Sequence, residues 1–65
     1  MSQLEKIKLL VREIQNLFFI KKYNLIISET QKAIKLYPNY SIFYNLLGLA
    51  LTQLGKFEDA KLVLN

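Results

Sequence analysis

Residues 44–64 read YNLLGLALTQLGKFEDAKLVL, and the fold turns on this stretch. Tyr44, Leu47, Gly48 and Leu51 recur three and four residues apart, the spacing of one helix face. Phe57, Ala60 and Leu64 repeat that spacing after Gly55. A glycine between two helical patterns suits a left-handed C-terminal turn, so the spacing predicts a helical hairpin with its corner at Gly55. Gly48 and Ala60 are small where the two helices must approach closely, and the large apolar residues beside them fill the seam. Glu58 and Asp59 fall in the first turn of the second helix, where negative charge complements the helix dipole.

Working back toward the N-terminus, Pro38 stops whatever precedes it, because it lacks an amide donor and disfavours a helical neighbour before it. Asn39 and Ser41 are both candidate N-caps for a helix over about 41–54. Before Pro38 a helix is expected from about Tyr23 to Tyr37. Its apolar face is Leu25 or Ile26, then Thr30, Ala33, Ile34 and Tyr37. Lys21-Lys22 interrupts the apolar pattern ahead of it. The first helix is expected over about 3–19, opened by the capping box Ser2-Gln3-Leu4-Glu5. Leu4, Ile7, Leu10, Val11, Ile14, Leu17 and Phe18 form its apolar face, with Lys6, Arg12, Glu13 and Asn16 on the other side. The fourth helix begins near Phe57.

Composition removes several function classes. The chain has 65 residues and an apolar fraction of 52%. That is enough for one small core of marginal stability and too apolar for intrinsic disorder. With no Cys and no His, thiolate metal sites, disulfides and imidazole acid–base chemistry are all closed off. The expectation is no metal, no cofactor and no enzyme. Glu5, Glu13, Glu29, Glu58 and Asp59 are the only carboxylates, and the adjacent Glu58 and Asp59 point different ways on a helix. Ser2, Ser28 and Ser41 lack a His to activate them, and no Gly-rich phosphate loop exists. Apolar runs are broken well short of a membrane span, so no membrane is expected and the location is read as cytoplasmic. A net charge of +4 with Tyr23, Tyr37, Tyr40 and Tyr44 near helix ends raises nucleic-acid binding. Packing between helices, with hydrogen bonds at the phenol tips, is the favoured reading of those tyrosines, and solvation that of Lys21 and Lys22.

The order of residues in 44–64 resembles the tetratricopeptide repeat pattern W-x2-L-G-x2-Y…A-x3-F…P, whose period is about 34 residues. Leu47, Gly48 and Ala60 match; Tyr44, Leu51 and Leu64 replace aromatic positions. A shift of 41 − 7 = 34 aligns Ile7 with Ser41, Leu10 with Tyr44, Ile14 with Gly48, Leu17 with Leu51 and Ile26 with Ala60. Residues 31–39 look like the end of such a repeat, with Ala33, Leu36 and Pro38 in its small, apolar and Pro positions. Glu13, Ile14 and Ile26 depart from it, and the bulk of the two isoleucines should widen the first hairpin or change its crossing angle. The domain is expected to span 1–65, with unit one at about 7–40 and an incomplete unit two at about 41–65.

The resemblance implies an all-α chain of two antiparallel helical hairpins, a fragment of a right-handed α-solenoid. It implies a protein–protein interaction or scaffolding role, with the first helix of each unit lining a concave groove. By position that groove takes Lys8, Val11, Gln15, Phe18 and Phe19 from unit one, and Ile42, Asn45, Leu49, Thr52 and Gln53 from unit two. Val11, Phe18 and Leu49 have a second reading, as residues buried against a neighbour. Some members of the family clamp a terminal carboxylate with Lys and Asn on this face. Val11, Gln15 and Leu46 replace those residues here, so the groove suits an amphipathic or extended apolar segment instead. The alternative is a non-catalytic N-terminal portion of a larger enzyme, such as a glycosyltransferase or sulfotransferase. Repeats gain stability from neighbours, so the 65-residue chain is expected to be a weakly stable monomer or to self-associate through its C-terminal helices.

Overall fold

The computed structural model describes residues 2–64, apart from the side chains of Phe57 and Leu64. Four helices follow in order: α1 (Gln3–Phe19), α2 (Tyr23–Leu36), α3 (Ser41–Gln53) and α4 (Phe57–Leu64). No strand occurs among the described residues. Consecutive helices form hairpins, α3 packs broadly on both α2 and α4, and α1 packs on α2 with a short seam to α3. This is an all-α architecture with α3 at its hub.

Each boundary has a local cause. The Ser2 hydroxyl accepts the Glu5 amide at 3.2 Å and caps α1. At the far end of α1, Lys21 takes φ 60°. Its amide donates to the Phe18 carbonyl at 3.1 Å and the Lys22 amide to the Leu17 carbonyl at 2.9 Å. This closes the helix with the double bond pattern of a left-handed C-terminal turn. Gly55 takes φ 78° at the end of α3, and the Gly55 and Lys56 amides reach the Thr52 and Leu51 carbonyls at 3.0 and 2.8 Å. All of these partners are displaced by 34 residues from those in the first turn. The first bonds of the following helices keep the same shift, Ile26 to Lys22 at 3.1 Å and Ala60 to Lys56 at 3.0 Å.

The link between the hairpins is aromatic. Tyr37 ends α2 outside the helical region (φ −135°, ψ 69°), since a following Pro disfavours a helical residue before it. Its ring stacks on Phe43 and meets Tyr40 edge-on, both at 6.4 Å. The N-cap of α3 is Tyr40, with no side-chain cap bond, which corrects the expectation of Asn39 or Ser41. The aromatic contacts hold this corner without a polar cap. The expected hydrogen bonds at the tyrosine tips are likewise not formed with any described residue, and Tyr44 sits 37% exposed at the edge of its seam.

Two apolar clusters make the core. The larger joins Ile7 and Ile14 of α1, Ile26 and Ala33 of α2, and Phe43, Leu46 and Ala50 of α3. Ile14 and Ile26 are both fully buried, two branched residues filling the seam where the second hairpin has Gly48 and Ala60. The smaller cluster is Leu47, Leu51 and Ala60, with Ile27, Ile34 and Val63 against it. The choice on α2 falls to Ile26, since Leu25 is 52% exposed, and Leu4 at 54% drops off the face of α1. Thr30 is fully buried, and its hydroxyl donates to the carbonyls of Ile26 at 2.8 Å and Ile27 at 3.0 Å. A polar side chain is thereby tolerated in the core, as a buried hydroxyl requires. The expected seam contacts of Phe57 and Leu64 lie outside the described residues.

Candidate partner groove

α3 carries no charged side chain over its whole length, SIFYNLLGLALTQ. A helix apolar on all sides is normally enclosed on all sides. Here α1, α2 and α4 cover it only in part. Phe43, Leu46, Leu47, Ala50 and Leu51 are buried, while Ile42 is 38% and Leu49 51% exposed. Ile42, Asn45, Leu49 and Gln53 follow one another at helical spacing, all exposed, with half-buried Thr52 beside them. The Thr52 hydroxyl donates to the Gly48 carbonyl at 2.8 Å, so its proton is already committed within the helix.

On α1 the matching positions divide. Val11 and Phe18 are half-buried and pack against the core cluster that includes Phe43, Leu46 and Ala50 of α3. Phe18 also meets Tyr23 edge-on at 6.1 Å. Lys8 and Gln15 are exposed, and Phe19 stands 87% in solvent. Lys8 shares a shallow depression with Glu5, Leu9 and Arg12 of its own helix. The ten positions therefore split into a floor and a rim. Val11 and Phe18 join the core between the helices; the others line the open sides of α1 and α3. Lys8 is the one charge among the ten, and no carboxylate stands beside it in that set.

Pattern reading missed Ile20, 57% exposed beside Phe19. The run Leu17-Phe18-Phe19-Ile20 was the available signal, since four consecutive apolar residues at a helix end cannot share one face. It also missed a depression on the opposite side of α1, lined by Glu13, Ile14, Asn16, Leu17, Leu25 and Glu29. Among the described residues no three His, Cys, Asp or Glu side chains converge as a metal site, and no helix is long and apolar enough to cross a membrane.

Residues 30–61 match the model of the tetratricopeptide repeat family. The match runs from the second half of α2 through α3 into α4, the hub and the two helices that pack most broadly on it. No curated protein and no solved structure matches the chain.

Proposed function

We propose, for a chain that carries a tetratricopeptide repeat at residues 30–61, that the α1–α3 surface is the binding face of a non-catalytic scaffold. Repeats of this family are interaction modules, and the ligand chemistry here follows from the residues. One observation carries the reading. An uncharged helix presents Leu49 and Ile42 to solvent on one face, and Phe19, at the end of α1, stands 87% exposed. Large apolar side chains grouped on a surface are a cost in water and an asset in an interface. With Lys8 as the single charge in the strip, the face fits an amphipathic helix or an extended apolar segment that lays alternating side chains into it. The Lys–Asn pairs that would clamp a terminal carboxylate are absent, so the ligand is recognised along its length. The two units, about 7–40 and 41–65, are part of this proposal: each contributes its first helix to one wall.

Selection of twelve-residue peptides from a displayed library against the immobilised chain tests it. Peptides recovered should carry two or more large apolar residues at helical or alternating spacing. Leu49→Glu should lower their affinity roughly 30-fold, the scale of a central interface residue, while circular dichroism stays that of the parent. Peptides that bind Leu49→Glu and Phe19→Glu as tightly as the parent would place the site elsewhere.

A further inference from the structure

The two hairpins of this chain differ at the positions where one stacks on the other, and the difference is a matched pair of charges. α3 sits on the first hairpin with Leu47 in a buried cluster against which Ile27 of α2 packs. Displacing the first of these by 34 residues toward the N-terminus gives Glu13, and displacing the second toward the C-terminus gives Lys61. Glu13 is exposed on the side of α1 that faces away from the groove, in a depression floored by Leu17 and Leu25. Lys61 is exposed on α4, next to Leu62 at 80% exposure. The turns that set both hairpins share their hydrogen bonds and their left-handed residue at the same 34-residue shift. The second hairpin therefore has the corner geometry of the surface that receives α3 in the first.

We infer that the partner of this outer face is a second copy of the chain, stacked head to tail. α1 of one molecule lies on the α3–α4 hairpin of the next, in the register in which α3 lies on α1–α2 within the molecule. Glu13 of one copy then meets Lys61 of the other, where the internal contact is apolar. Leu9, 47% exposed, takes the place of the buried Phe43 and meets the hairpin bearing Tyr44. Arg12 and Asn16 replace Leu46 and Ala50, so this contact is more polar and weaker than the internal one. An ordinary apolar hairpin is disfavoured on the same face, because it would bury the Glu13 carboxylate without a counter-ion. A contact between two different faces forms no closed two-fold dimer, and when each copy is stacked on the end of the last its growth is open-ended. The exposed groove strip on α3 takes no part, while Lys8 borders this contact through the depression it shares with Leu9 and Arg12; exchange of the Glu13 and Lys61 charges leaves all ten groove residues unchanged.

The test is sedimentation equilibrium of the full chain across a dilution series at low salt. The weight-average mass should rise continuously past that of a dimer and fall back with added salt, which screens the pair. Glu13→Lys and Lys61→Glu should each weaken association roughly tenfold, and Glu13→Gln should weaken it less. Mixing the Glu13→Lys and Lys61→Glu chains should restore assembly, since each then offers the charge the other lacks. Both positions are exposed, and unchanged circular dichroism establishes that the variants fold. A monomer at every concentration, a closed dimer, single variants that associate like the parent, or a mixture that fails to recover would each overturn it.

Discussion

Two residues 34 apart hold the same backbone conformation with very different chemistry. Lys21 and Gly55 both lie in the left-handed region, at φ 60° and 78°. For an L-residue that conformation costs about 1–2 kcal/mol, while glycine enters it freely. Lys21→Gly should therefore stabilise the chain by about 0.5–1 kcal/mol, the relief of strain less the extra freedom of glycine in the unfolded state. Gly55→Ala should destabilise it by about 1 kcal/mol, even though nothing lies within 4 Å of the added Cβ. Chemical denaturation of the two variants reads both signs. Equal midpoints for Gly55→Ala and the parent would mean that the corner is not left-handed. Gly55 announces its turn in the sequence; Lys21 does not, because nothing about a lysine signals positive φ. The sites of Leu25 and Ile26 were ambiguous for a related reason. Two adjacent apolar residues can each continue a helical face, and only the packed partner, Ile14, selects one.

At the scale of elements, the helices follow from spacing and punctuation. α1 occupies 3–19 as expected, and α2 stops one residue early because Tyr37, next to Pro38, leaves the helical region. The α3 start was legible and its cap was not. Polar caps are recognisable by residue type, whereas the Tyr37–Phe43 stack that anchors this end is a tertiary contact. The two seams make opposite demands. In the first, Ile14 fills space, and Ile14→Ala should cost about 3 kcal/mol through lost burial and a cavity. In the second, Ala60 is 4% exposed within the Leu47–Leu51 cluster. Ala60→Leu should overpack it and cost roughly 1–3 kcal/mol. Denaturant titration followed by helical ellipticity reads both. An Ala60→Leu chain as stable as the parent would mean that α3 and α4 do not close on that residue.

For the molecule as a whole, α3 decides both stability and binding. It links the two apolar clusters, and its uncharged surface is covered on three sides and open along Ile42, Asn45, Leu49 and Gln53. The repeat pattern made this strip legible as one side of a groove. It did not show that Val11 and Phe18 would turn inward while Leu49 stayed out. Those outcomes depend on how closely α1 packs on α3, and Ile14, Ile26 and Phe43 meet in one buried cluster between them. The claim is tested most directly by solvent relaxation on α3, using a soluble gadolinium chelate and leucines with labelled methyl groups. The methyl signals of Leu49 should broaden strongly, and those of Leu46, 6% exposed, should persist. Leu49 as protected as Leu46, or all α3 leucines broadened alike, would contradict the account.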